Sequence, residues 1–347
     1  MHLYLNFLGT TVDFEVAVEA EAAFEPVRRF FHHLLAPEPA GRCDFHVSVL
    51  PLGPPDGSVP GRPVVIRQSS APEFTFHARL SRHGARRTYR NEHTALDVPA
   101  DAAVDRRFRV EVSEGSAIQV IDFIRDLVIR NEETAGTVVL HASAVRRDGQ
   151  VYAIAGPKGA GKTTTLLSVL GHGGWQYFTG DKLFCRPEKG GITVHAWRDY
   201  PYVGVGTLRA NPALAANVRR SAAPDLDELS PGHKILLDPD LFESWLGAEF
   251  DPSPHRLAGL LLPRVQPGEP LLVEPVTEPN ARWAALNTIV DRSVDTTFFG
   301  WQHYLVPDYA AFYATLAELR PLLDGLDVRR LSGALDVDLD AVLEETG

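Results

Sequence analysis

The stretch GPKGAGKTT, Gly156 to Thr164, constrains this chain more than any other. Gly156, Gly161, Lys162 and Thr163 fill the fixed positions of G-x-x-x-x-G-K-[ST], a coincidence expected in roughly one chain of this length in a hundred. QVYAIAG before it is a short apolar run rich in β-branched and aromatic residues, which reads as a buried strand ending at Gly156. KTTTLLSVLGHGG after it carries apolar residues at helical spacing and stops at a glycine cluster, as a helix does. Strand, glycine loop and helix form a phosphate cradle, because glycines let successive N–H groups turn inward and the helix N-terminus adds partial positive charge. Gly156, Pro157, Lys158, Gly159, Ala160, Gly161, Lys162, Thr163 and Thr164 are therefore expected to hold ATP or another nucleoside triphosphate. Lys162 would reach the β- and γ-phosphates, and Thr163 would offer its hydroxyl to Mg²⁺.

Bulk properties limit the partners. A net charge of -11 argues against nucleic acid, whose phosphates would be repelled over most of the surface. No run approaches the roughly 20 apolar residues of a membrane span, and the amino-terminal residues alternate like strands rather than like a signal peptide. Cys43 and Cys185 lie far apart in unlike settings, which suggests reduced thiols and a cytoplasmic protein.

The chain reads as two domains with a boundary near Thr134. Residues 1–133 read as a smaller α+β domain: an antiparallel sheet, an amphipathic helix EAAFEPVRRFFHHLL, a Pro/Gly-rich loop over residues 52–63, and a long helix from Ser116 to about Asn131. Nothing in this half resembles a catalytic constellation, and substrate recognition is its expected task. Residues 134–347 alternate strands and helices as an α/β nucleotide-binding domain does. There GWQYF ends a strand at Gly180 before a hairpin turning at EKGG, and helices cover NARWAALNTIVDRSV and DYAAFYATLAELRPLLDGL.

A phosphate loop alone does not separate kinase from ATPase or sensor; the carboxylate that handles Mg²⁺ and the attacking group does. GLLLP ends in proline. Asp238 in LLDPDLF is followed by Pro239, a signal for a helix N-cap. Asp181 in YFTGDK follows a short aromatic strand one helix after the loop, so that strand can lie beside the loop strand with Asp181 at the edge where ligands bind. His141, ending the apolar run VVLH one strand earlier, can orient such a carboxylate or share its proton.

LHASAV, a polar turn, GPKGAGKTT and then YFTGDK resemble, in order and spacing, the kinase domain of HPr kinase/phosphorylase and its relatives, which include kinases of bacterial peptide-modification gene clusters. The resemblance covers about 50 residues closely and implies a P-loop domain of the HPr-kinase/PEP-carboxykinase type. It implies that Asp181 acts as general base near Mg²⁺, that His141 supports it, and that Lys162 and Thr163 serve phosphate and metal. It further implies a kinase that transfers the γ-phosphate to a hydroxyl of a peptide, protein or small metabolite. Lys182 stands where the family has a second Asp. It could neutralise transferred phosphate, anchor an acidic group, or mark a non-catalytic nucleotide-binding accessory protein. A carboxykinase-like enzyme is the other alternative. Arg198, Arg209, Lys234 and Arg264 are the further cations that could meet substrate, and each reads equally as a solvated surface charge.

Overall fold

The computed structural model describes residues 1–54, 61–67, 75–101, 105–220, 225–266, 268–292, 308–333 and 336–344. Part of the loop expected over residues 52–63 and the last residues of the helix expected over 280–294 lie outside these. The chain is mixed α/β and divides into two compact units, Met1–Ala135 with Arg292–Phe312, and Gly136–Asp291 with Tyr313–Gly347.

The first unit runs β1 (His2–Phe7), β2 (Thr10–Val16), α1 (Glu21–Phe30), β3 (Leu35–Ala36), β4 (Phe45–Pro51), β5 (Arg62–Arg67), β6 (Phe76–His83), β7 (Arg86–Arg90), β8 (Thr94–Pro99), β9 (Arg107–Val112) and α2 (Ala117–Thr134). Its strands make one nine-stranded sheet in the order β3-β1-β2-β4-β9-β8-β7-β6-β5. The sheet is mixed rather than antiparallel, since β2 pairs parallel with β4, and β4 with β9. The reason lies in the connections: α1 carries the chain back between β2 and β4, which a parallel pair requires, and the meander β5–β8 does the same between β4 and β9. Phe14, Val47 and Phe108 stand opposite one another in register. Phe24 of α1 packs 5.7 Å from Phe14 and Phe123 of α2 packs 5.5 Å from Phe108, so both helices cover the same face. Each buried ring contributes about 1.5–3 kcal/mol to holding that face closed. The α1 helix is shorter than its apolar pattern suggested, because the chain turns after Phe30 to place Leu35–Ala36 on the sheet edge.

The second unit contains β10 (Val138–Arg147), β11 (Gln150–Ala155), α3 (Lys162–His172), β12 (Gln176–Thr179), β13 (Lys182–Glu188), β14 (Gly191–Ala196), β15 (Tyr202–Gly204), α4 (Val205–Ala210), α5 (Pro212–Arg220), β16 (Lys234–Leu236), α6 (Pro239–Leu246), β17 (His255–Val265), β18 (Leu272–Pro275), α7 (Pro279–Ile289), α8 (Tyr309–Leu322, from Tyr313 onward), β19 (Asp327–Gly333) and α9 (Leu339–Glu344). β11 pairs antiparallel with β10 and parallel with β17, which pairs parallel with β19. The pairings from β11 through β10, β13, β14 and β17 return to β11, so this part of the sheet closes on itself. Leu166, Leu167 and Val169 on one side of α3 bury against Tyr152, Ile154, Trp175 and Leu261. That packing fixes where α3 begins, at the carboxyl end of β11. As the proline after it indicates, Asp238 caps α6, accepting from the N–H groups of Asp240 and Leu241. Among the described residues no helix is long and apolar enough to cross a membrane.

Candidate functional site

The glycine loop joins β11 to α3 and is shaped by backbone choices that few sequences allow. Gly159 and Gly161 adopt φ of 85° and 101°, a region open chiefly to glycine. A Cβ on Gly161 would lie 2.3 Å from Cγ2 of Val265, whose N–H donates to Ala160 O at 3.0 Å and so ties the loop to the end of β17. No side chain caps α3, and the N–H of Thr165, donating to Gly161 O at 2.8 Å, closes its first turn. The N–H groups ahead of Thr165 are the ones a helix leaves open at its start. Replacing Gly161 with Ala is expected to lower the unfolding free energy by about 3 kcal/mol, combining the left-handed backbone with overpacking against a stiff β-branched side chain. Gly159→Ala, whose Cβ would meet nothing within 4 Å, should lose less than half as much. Urea titrations of the two variants test this, and equal losses would contradict it.

Lys162 opens α3 and folds back, donating from Nζ to Gly156 O at 2.9 Å. Burial pulls its ammonium below the usual lysine value; Asp181 opposes this, while Lys234 and Lys182 push further the same way. Lys162 thus lies within reach of two further lysines, a concentration of positive charge that a bound polyanion would relieve. Thr163 follows in the first turn of α3, and Thr164 shares a 2.8 Å hydroxyl contact with Thr207 of α4.

Opposite the loop, β12 and β13 pair with the same edge of β10, β12 at Ala144–Arg146 and β13 at Val138–His141. Gly180 and Asp181 form the kink between them. Ser143 Oγ donates to Gly180 O at 2.7 Å, Ala142 N–H donates to Asp181 O at 3.0 Å, and Thr179 Oγ1 donates to Lys182 O and Trp197 O. With its backbone so held, Asp181 projects beside His141, Nδ1 to Oδ1 being 3.2 Å. The two side chains are 46% and 37% exposed, open enough for a substrate to reach. β12 therefore lies beside β10 and not beside the loop strand β11 as its sequence position suggested: the chain leaving α3 passes over β10 to reach its far edge.

Asp181 raises the His141 pKa, but desolvation and the charges of Lys182 and Lys162 outweigh it, so the imidazole sits below the usual histidine value, with Asp291 also pulling upward. Lys182, opposite His141 in the ladder, has Nζ 3.6 Å from Asp181 Oδ2 and in a closer ion pair with Asp291. Asp291 was not singled out in the sequence, where it fell inside an expected helix. That helix stops at Ile289; Val290 bridges to Leu140, and Asp291 N–H donates to Val139 O at 2.8 Å. No local signal identifies Asp291, since its role depends on a strand distant in sequence.

The remaining cations part company. Lys158 is exposed in the loop, Lys234 is exposed within electrostatic reach of Lys162, and exposed Arg264 precedes the Val265 that touches Gly161. Arg198 corrects the expectation of a substrate contact: it is 3% exposed and clamped by Glu243 at 2.8–3.0 Å and by Asp240, so its charge is matched within the protein. Arg209 likewise turns to the chain itself, donating to Leu226 O at 2.5 Å and Leu229 O at 2.8 Å, so it fastens the segment before β16. Among the described residues no three His, Cys, Asp or Glu side chains are grouped as a metal site. Magnesium needs less, being held typically by one or two carboxylates, its own waters and phosphate oxygens. Thr163 and Asp181 are the residues the sequence offers for it.

No protein-family model and no curated protein matches this sequence.

Proposed function

We propose that the chain is an ATP- and Mg²⁺-dependent phosphotransferase with a hydroxyl acceptor, built on a P-loop domain of the HPr-kinase type. One observation carries the reading: an accessible His141–Asp181 pair, 3.2 Å apart, stands within electrostatic reach of the lysine that opens the helix after a glycine loop. ATP with Mg²⁺ would supply the transferable phosphoryl group and part of its charge neutralisation. The protein's own residues do the rest. The glycine loop and the open N–H groups of α3 hold phosphate oxygens, with Lys162 leaving Gly156 O to join them. Asp181 takes the proton of the acceptor hydroxyl, and His141, kept neutral, fixes Oδ1 so that the remaining lone pairs face the acceptor. Lys182 spends its charge on Asp291, so Asp181 stays anionic without being fully matched by the neighbouring lysine.

The pairing of Lys182 favours transfer over the reading as a passive nucleotide-binding module, because the cation that replaces a second acid is itself balanced by an acid. Incubation with ATP, Mg²⁺ and a panel of hydroxyl acceptors, following ADP and phosphorylated product together, tests the proposal. Acceptor-dependent product is the expected result. Tight ATP binding with no turnover on serine or threonine peptides or on small alcohols would overturn it and leave the binding module.

A further inference from the structure

The hairpin β6–β7 carries positive charge out of proportion to an acidic chain. From Thr75 to Asn91 it holds Arg79, Arg82, Arg86, Arg87 and Arg90 and no Asp or Glu, against a net charge of -11 for the whole sequence. Strand alternation sorts these arginines onto two faces with different surroundings. On the outer face Arg86 pairs with Asp97 at 2.9 Å and Asp105 at 3.1 Å, and Arg90 with Glu111 at 3.2 Å. Apart from Arg79, which stands opposite Arg90, the hairpin's arginines on that face are matched by carboxylates.

The inner face is not so matched. Arg82 stands directly opposite Arg87, and Arg62 of β5 stands opposite Leu80, which in turn stands opposite Tyr89. These three arginines lie at the end of the face that buries Leu80, Leu96 and Val98. Arg87 hydrogen-bonds the Tyr89 hydroxyl, and Arg62 and Arg82 lie near enough to act on it; burial pushes the phenol up and the three cations pull it back. Among the described residues no carboxylate pairs with any of the three. Like charges directly opposite in a ladder are unfavourable, so Arg82 and Arg87 lack the counter-charges that Arg86 and Arg90 possess.

We infer that Arg62, Arg82 and Arg87, grouped around the Tyr89 hydroxyl, form a binding site for a phosphate group. Three guanidinium groups carried on one face of neighbouring strands beside one hydroxyl suit a compact dianion with several acceptor oxygens, whereas a carboxylate is satisfied by one fork. The ligand class is a phosphomonoester, borne either by a free small molecule or by the side chain of a phosphorylated peptide. The site belongs to the first unit and does not depend on the proposed phosphotransfer.

Titration of the full chain with inorganic phosphate, phosphoserine and a phosphoserine peptide, each against its glutamate counterpart, followed calorimetrically at low ionic strength, tests it. A variant with Lys162→Ala serves as the background, so that binding at the glycine loop does not contribute. Saturable phosphate binding is expected, weakened at least tenfold by Arg87→Gln or Arg82→Gln and unchanged by Arg109→Gln on the outer face. Tighter binding of the peptide than of phosphoserine would assign the ligand to a peptide, and equal binding to a small molecule. Without ligand, Arg82→Gln should leave the melting temperature unchanged or raise it, since it removes a like-charge pair. Absence of saturable binding, equal loss in Arg109→Gln, or a melting temperature lowered by Arg82→Gln would each overturn the proposal.

Discussion

Asp181→Asn is expected to cut acceptor-dependent ADP formation by about 10²–10⁴-fold, the range for loss of a general base, while ATP affinity measured without Mg²⁺ changes little. The division follows from placement. Asp181 stands on a kink held by Ser143, Ala142 and Thr179, whereas the phosphates would rest on the loop and α3, so the substitution leaves the cradle intact. An amide in place of the carboxylate keeps the shape but cannot accept the proton. Paired measurement of nucleotide affinity and single-turnover rate separates the effects: parallel loss of both would make Asp181 a binding residue only, and no loss would remove it from the chemistry. The pH profile adds a second constraint. His141 has its pKa held below the ordinary 6.5, so it stays neutral as pH falls through that value and is protonated only at lower pH. The sign is that of a group whose neutral form the fold prefers: its contribution is complete above the ordinary value and is lost on acidification beyond it. The acid limb of the rate should accordingly fall below pH 6.5, and His141→Gln should alter that limb as well as the maximum.

Asp291→Asn is expected to lower the transfer rate by about 10–10²-fold, although Asp291 is not placed to meet the acceptor. Its carboxylate holds the Lys182 ammonium, which is 12% exposed and therefore poorly solvated. Neutralising Asp291 strips that partner and leaves Lys182 to Asp181, already 3.6 Å away. The base is then neutralised by its neighbour and becomes weaker, at a cost of about 1–3 kcal/mol for an uncompensated half-buried charge. A double-mutant cycle with Lys182→Ala isolates the coupling. Partial recovery in Lys182→Ala/Asp291→Asn, compared with Asp291→Asn alone, is the expected result. Additive losses would mean that the ion pair is structural. A rate that rises in Lys182→Asp would show Lys182 to be a brake on transfer.

The mixed α/β character of the chain was legible in alternating segments and in the strand, loop and helix around Gly156–Thr164, because periodicity and turn residues act locally. Legibility declined wherever a residue's role depended on a distant strand. Parallel pairing of β2 with β4 is set by the path of α1, not by the residues of either strand. Arg198 and Arg209 read as cations that could meet substrate or stay solvated, yet the fold presents one to Glu243 and the other to backbone carbonyls.

What the sequence by itself determined is the glycine loop, from backbone chemistry confined to consecutive residues; His141 meets Asp181 because β12 and β13 pair with β10, an arrangement the strand spacing did not give. Only the tertiary structure decided what Lys182 does. Its partner Asp291 lies 109 positions along the chain and reaches it because β10 binds β13 along one stretch and the end of α7 through Leu140 and Val139. An ion pair across such a separation leaves no periodicity in the sequence, since it is fixed by where the sheet brings two backbones together.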